Sequence, residues 1–206
     1  MIKSNNIDEY IAMQRQALAG NSECGTTHYN LGVALMGKKQ YAEAERSFHA
    51  AIECSPTLAE AYVQLGGLCL KRGDLDGCLD WNTRAVKARP GFSEGYGNIG
   101  FVHMQKGELE EAIKALRRAT AFNFRFVQGY TTLATAHLMR GEVDEAIEAC
   151  VQALKADPNF PVAHNNLAIA YLEKGHQEKA KKHAMQAMAL GYEVAPEIRK
   201  ELALDV

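Results

Sequence analysis

One residue recurs along this chain at a fixed interval of 34 residues. Alanine occupies every point of this lattice: Ala17, Ala51, Ala85, Ala119, Ala153 and Ala187. Three further sets of small residues keep the same spacing: Gly32, Gly66, Gly100, Ala134 and Ala168; Ala44, Cys78, Ala112, Ala146 and Ala180; and Gly73, Gly107, Gly141 and Gly175. Such a period is typical of a solenoid, in which each repeat buries its apolar face only against its neighbours. The sequence therefore predicts a long exposed surface rather than an enclosed catalytic pocket.

Composition narrows the classes of function. The chain has 206 residues, of which 47% are hydrophobic and 23% charged, as in folded proteins. A net charge of −2 speaks against the clustered basic face of a general nucleic-acid binder. Residues 1–20 contain no apolar stretch of signal-peptide length, and no later stretch approaches the length of a membrane span. We expect a cytoplasmic protein that binds no nucleic acid and does not insert into a membrane.

The cysteines are interpreted as small core residues. None of them forms a Cys-x-x-Cys pair, and most fall on apolar helical faces. This pattern favours packing in a reducing compartment over a disulfide or a metal site. The five are Cys24, Cys54, Cys69, Cys78 and Cys150.

The fourth repeat illustrates the predicted architecture. Apolar residues recur at helical spacing over residues about 128–139 and again over about 143–156. Gly141 separates the two segments, as a left-handed residue after a helix would. Asp157 ends the second helix, because a residue that precedes proline is pushed out of the helical region. Each repeat is therefore predicted to be two antiparallel helices, whose small residues let the helix axes approach closely.

The ends of the chain differ from the repeats, as expected for caps. Residues about 7–19 match the second helix of a repeat whose first helix is absent, and residues about 195–204 match a short solvating helix. The predicted division is an N-terminal capping helix, five repeats and a C-terminal capping helix: 1–24; 25–58, 59–92, 93–126, 127–160 and 161–194; and 193–206.

The repeats resemble the tetratricopeptide repeat family. The resemblance rests on the segments Tyr62-Val-Gln-Leu-Gly66 and Tyr96-Gly-Asn-Ile-Gly100 and on the Asp157-Pro158 turn, and it covers five repeats. Phe124 and Tyr192 stand where the family has proline. The resemblance implies an all-α, right-handed superhelical solenoid of five helix-turn-helix repeats, with an N-terminal half-repeat helix and a C-terminal capping helix. It also implies binding of a peptide or protein in a concave groove lined by the first helices, without catalysis or a cofactor.

The family's groove positions carry a row of polar side chains. A side-chain amide offers both a donor and an acceptor, and so could hold an extended peptide by its backbone. The alternative is that these amides bond within the solenoid or to water. The row consists of Asn30, Gln64, Asn98, Thr132 and Asn166.

Neighbouring rows make the predicted groove more apolar than polar. An apolar groove with methionines suits an amphipathic helix or a hydrophobic segment of a partner. Gly95 and Gly97 are expected to leave hollows there. Tyr29 and Val33 stand where the family's clamp for a chaperone C-terminus has Lys and Asn, so that ligand is not predicted. The further candidate binding residues are Tyr29, Val33, Phe101, Met104 and Asn165. Met104 belongs to a row that could instead be core between repeats: Met36, Leu70, Met104, Leu138 and Leu172.

Two other features bear on possible chemistry. His103 and His137 share one lattice point and could approach a metal, but a packed side chain is favoured there, and no metal ligand set is predicted. Phe122, Phe124 and Phe126 alternate, and form either an exposed binding edge or filler that replaces the missing proline. No nucleotide-binding or nucleophile motif is found.

The sequence therefore predicts a non-catalytic interaction module, an adaptor or assembly factor that holds one partner segment in its groove. The alternative is a structural scaffold that self-associates into a homo-oligomer. An enzyme ranks third and a nucleic-acid binder fourth.

Overall fold

The computed structural model describes residues 6–204, and within this range all regular structure is helical. The predicted all-α fold of consecutive helix pairs is confirmed. The helices are α1 Ile7–Gly20, α2 Gly25–Gly37, α3 Tyr41–Cys54, α4 Ala59–Lys71, α5 Leu75–Ala88, α6 Ser93–Gln105, α7 Leu109–Phe122, α8 Val127–Met139, α9 Val143–Ala156, α10 Pro161–Glu173, α11 Gln177–Ala189 and α12 Pro196–Glu201.

The turn inside each repeat is set by a residue in the left-handed conformation. Gly141 has φ 76° and follows the C-cap of α8. Its N–H donates to Leu138 O at 2.9 Å, and the next N–H, of Glu142, donates to His137 O at 2.9 Å. These two bonds satisfy carbonyls at the helix end, and only glycine adopts this φ without steric cost. The first repeat has Lys39 there instead, with φ 61°.

The chain divides into two compact halves, one ending at Gly95 and the other beginning at Tyr96. In the N-terminal half, α2 packs on α3 and α4 packs on α5. Leu35, Phe48 and Leu65 are almost fully buried, and Ile11 of α1 joins their core. Gly32 makes the close approach possible, since a Cβ there would lie 2.6 Å from Phe48 Cε1.

In the C-terminal half, α8 packs on α9 and α10 packs on α11. Leu116, Cys150 and Leu167 belong to its main core. The last helix, α12, is shorter than the segment predicted from the sequence. Leu202, the C-cap residue of α12, is 5% exposed and packs with Ala168 of α10 and Ala184 of α11, so the end of α12 covers the edge of the last helix pair.

The predicted capping segments reach beyond the described part of the chain. Residues 1–5 of the predicted segment 1–24, and residues 205–206 of the segment 193–206, lie outside the described residues. The division of the chain at the predicted boundaries stays a prediction.

The five cysteines are free thiols. Cys69, Cys78 and Cys150 are buried, whereas Cys24 and Cys54 are half-buried. Burial raises the pKa of Cys150 to about 12 and that of Cys78 to about 11. A thiol with so high a pKa is a poor nucleophile, so these two side chains act as packing residues.

Candidate functional site

A cavity of about 390 Å³ opens in the N-terminal half, between the first helices of two successive repeats and the turn that leads into α6. It lies at the small end of the range for ligand sites in proteins. Its walls combine aromatic, apolar and charged side chains. The lining residues are Tyr29, Glu60, Val63, Gln64, Arg89, Pro90, Gly91, Phe92, Ser93 and Glu94.

Two residues predicted from the sequence meet in this cavity. Tyr29 projects from α2 and Gln64 from α4, and their side chains are hydrogen-bonded to each other. Burial raises the pKa of Tyr29, and the negative charge of Glu60 raises it further. The hydroxyl therefore stays protonated at neutral pH and presents a donor together with the Gln64 amide.

A charged group that the groove prediction left out completes the cavity. Arg89, the C-cap residue of α5, donates from Nη1 to Glu60 Oε1 at 2.7 Å. Its guanidinium lies 3.9 Å from the centroid of the Phe92 ring. Glu60 Oε2 is buried and accepts no hydrogen bond from any described residue. No periodic pattern in the sequence points to Arg89.

The other two predicted residues of α2 do not line the cavity. Asn30 is half-buried, and Val33 is 43% exposed. Leu70 of α4 is also exposed, at 36%. The first helices of the N-terminal half thus also carry exposed apolar side chains.

The predicted residues of the C-terminal half are less accessible. Asn166 is 5% exposed and donates from Nδ2 to Thr131 O at 3.2 Å and to Thr135 Oγ1 at 3.1 Å. Asn165 is 7% exposed, and Met104, 8% exposed, belongs to the main core. These three side chains are buried in this conformation, and the part predicted for Asn165 and Met104 in binding stays a prediction. Asn166 bonds within the solenoid, as the alternative has it.

Asn98 and Phe101 of α6 are intermediate cases. Both are half-buried, and Phe101 packs against the core that contains Met104. The part that they take in binding stays a prediction.

The hollows expected at two glycines are filled, so that prediction is wrong. A Cβ built at Gly97 would lie 2.7 Å from Phe126 Cε1, and one built at Gly95 would lie 2.7 Å from Val86 Cγ1. Phe126 is therefore filler, whereas Phe122 and Phe124 are 57% and 77% exposed. Phe126 thus matches the predicted filler, and an exposed binding edge at Phe122 and Phe124 stays a prediction.

The two histidines that share a lattice point each bind a carboxylate. His103 Nδ1 lies 2.6 Å from Glu108 Oε2, and His137 Nδ1 lies 2.6 Å from Glu142 Oε2. These hydrogen bonds lower the pKa of both carboxyl groups. Between residues 6 and 204 no group of three or more His, Cys, Asp or Glu side chains could hold a metal ion. The pairs connect the end of one helix to the residue that starts the next.

A second histidine contact was not predicted. His164 Nδ1 lies 3.0 Å from His183 Nδ1, and His164 Nε2 lies 3.1 Å from Pro158 O. Tyr171 stacks on the His183 ring. Burial, the His164 charge and the Lys182 charge lower the pKa of His183 to about 4. His183 is therefore neutral at physiological pH and works as a packing residue.

Helices of the described range are too short or too polar to cross a membrane.

Models of known helical-repeat families match several segments of the chain. A model of the TPR repeat matches residues 134–175, and models of the tetratricopeptide repeat match residues 25–58 and residues 93–125 and 162–190. The chain belongs to the tetratricopeptide repeat family, whose repeats generally serve as non-catalytic modules for protein interaction.

Solved structures of repeat proteins share this fold. A crystal structure of MamA is 25% identical, covers 78% of this chain and 94% of its own, and has a TM-score of 0.67. YrrB, described as a TPR protein with an unusual peptide-binding site, is 19% identical over 93% of this chain and 97% of its own, with a TM-score of 0.69. PilF of Pseudomonas aeruginosa is 15% identical over 98% of each chain, with a TM-score of 0.78. No curated protein sequence matches the chain.

Proposed function

We propose that this protein is a non-catalytic adaptor or assembly factor, and that the N-terminal half holds a segment of its partner at the cavity between α2 and α4. The observation that carries the proposal is the hydrogen-bonded pair Tyr29 and Gln64, half-buried in the wall of an open cavity. YrrB, a protein of similar fold, is described as having a peptide-binding site, which supports the same use here.

The chemistry of the cavity suits an extended segment. The Gln64 amide and the Tyr29 hydroxyl can each donate to or accept from a peptide backbone, whatever its sequence. Val33 and Leu70 add exposed apolar surface against which the partner's side chains can pack. Main-chain hydrogen bonds beside apolar contacts are the usual means by which domains hold extended peptides.

Peptide selection tests this proposal directly. Random peptides displayed on phage are selected on the purified protein, and the selected peptides are then titrated by calorimetry. Gln64→Ala removes a donor and an acceptor, each worth about 0.5–1.5 kcal/mol, so we expect about tenfold weaker binding. Gln16→Ala, on the exposed face of α1, is the matched control and should bind as the parent does. Peptides that bind both variants equally well would place the site elsewhere.

A structural scaffold that self-associates is the second candidate. It is favoured by Phe124 and Phe122 of the C-terminal half, which are 77% and 57% exposed. Exposed aromatic side chains at one place are typical of surfaces that contact another chain. Light scattering over a concentration series distinguishes the candidates: a scaffold gains mass with concentration and loses that gain in Phe124→Ser, whereas a monomer at every concentration excludes it.

A further inference from the structure

We propose that the cavity of the N-terminal half selects a basic side chain, the lysine or arginine of the bound segment, with Glu60 as its acceptor. This inference rests on the proposed function, because it specifies the chemistry of the segment that the same cavity would hold.

The charges around the cavity favour a cation. Glu60 and Glu94 line it with two carboxylates, whereas Arg89 is the cationic residue of the lining. Arg89 is already engaged, because its Nη1 binds Glu60 Oε1 and its guanidinium lies over the Phe92 ring. Glu94 is exposed in the first turn of α6, where it meets the partial positive charge of the helix N-terminus. Neither the Arg89 guanidinium nor the N-terminus of α6 therefore leaves an uncompensated positive charge for an acidic ligand.

Glu60 has acceptor capacity that the protein does not use. Its Oε1 accepts from Arg89, whereas its Oε2 is buried without a donor among residues 6–204. A buried acceptor without a partner is unfavourable, and an ionised carboxylate can take several donors. The last torsion of a glutamate side chain is soft, so a small rotation turns Oε2 toward the cavity. An ammonium or guanidinium group would then replace the missing donor with a charge-assisted bond.

The walls of the cavity suit the rest of a basic side chain. Tyr29 and Val63 offer an aromatic face and an apolar surface to its methylene groups. An aromatic face also attracts a cation directly. The negative charge of Glu60 is felt at the Tyr29 hydroxyl, whose pKa it helps to raise, so the electrostatic potential on this wall favours positive charge.

The test selects random displayed peptides on three proteins: the parent, Glu60→Gln and Glu45→Gln. Glu45 is the matched control, because it forms an equivalent ion pair with Arg72 at 2.8 Å but does not line the cavity. We expect the parent and Glu45→Gln to enrich lysine or arginine at one position, and Glu60→Gln to lose that enrichment. The best peptide should bind the parent about tenfold more tightly than its copy with norleucine in place of the basic residue.

Each outcome bears on the inference. Enrichment of aspartate or glutamate would overturn it and make Arg89 the recognising group. If the selected peptides have no basic position but bind Gln64→Ala more weakly than the parent, the inference is overturned and the proposed function stands. Failure to enrich any peptide would overturn both. If Glu60→Gln melts too low to be used, the norleucine comparison on the parent decides, since equal affinity for the two peptides contradicts a basic subsite.

Discussion

Equivalent pairs of residues line an open cavity in the N-terminal half of the chain and form a buried contact in the C-terminal half. Tyr29 and Gln64 in the N-terminal half occupy the same repeat positions as Thr131 and Asn166 in the C-terminal half. Gln64 bonds to the Tyr29 hydroxyl and lines a cavity, whereas Asn166 is buried and bonds to the Thr131 backbone and to Thr135.

Side-chain size explains the difference. A tyrosine ring holds the facing amide away from the neighbouring helix, so its polar groups stay at an open surface. Threonine is short, and a short asparagine opposite it reaches the backbone carbonyl. The same lattice thus produces a candidate binding site in one half and a closed contact between helices in the other.

Thiol labelling should give the largest contrast between the halves. Cys24, at the N-cap of α2, is half-buried, and a hydrogen bond from Thr27 lowers its pKa, whereas burial raises the pKa of Cys150 to about 12. At pH 8 we expect Cys24 to react about a thousandfold faster, because the thiolate is the nucleophile. Mass spectrometry of timed samples measures both rates. Labelling of all five cysteines in denaturant is the control, and fast native labelling of Cys150 would mean that α9 opens readily.

Replacing the buried amide Asn166 should destabilise the fold more than replacing the half-exposed amide Gln64. Asn166→Ala removes the two hydrogen bonds of a buried amide and opens a small void, although the Thr135 hydroxyl still donates to Thr131 O, so we expect a loss of about 1–2 kcal/mol of unfolding free energy. Gln64→Ala lies at a half-exposed position and should cost less than about 0.5 kcal/mol. Urea titration of the two variants measures both values. Equal losses would show that the two amides play the same part.

The histidine pair of the C-terminal half predicts a dependence on pH. His183 has a native pKa of about 4, below its ordinary value of 6.5, so the unfolded chain binds the extra proton between these values. Stability should therefore fall as pH drops through this window, by about 1–2 kcal/mol after solvent screening is allowed for. Urea titrations from pH 7 to 4 measure the slope. His183→Gln keeps a donor for His164 and should flatten the curve, and an unchanged curve would contradict the assignment to His183.

Substitution of two adjacent glycines in α4 should give the smallest change in stability. A Cβ at Gly67 would meet no atom within 4 Å, whereas one at Gly66 would lie 2.4 Å from Asn82 Nδ2. Gly67→Ala should raise the unfolding free energy by about 0.5–1 kcal/mol, because alanine is the better helix former. Gly66→Ala, the matched control, should lower it. Thermal melting of both variants tests this, and destabilisation by Gly67→Ala would mean that this face of the N-terminal half is more crowded than the structure shows.

The sequence by itself determined the helices and their pairing. The 34-residue spacing, the glycine after each first helix and the residue before proline act through local backbone geometry, which a sequence displays directly. Gly141 illustrates this: its left-handed φ and its two turn hydrogen bonds follow from its place in the period.

Only the tertiary structure decided which lattice positions reach the surface. The predicted hollow at Gly97 was taken by Phe126, and the Asn166 amide was taken by Thr131 and Thr135. Arg89 joined the cavity by pairing with Glu60, although no period marks it. These outcomes depend on the length and direction of side chains from other helices, which repeat spacing does not encode, because a lattice gives a residue its position but not the size of its neighbour.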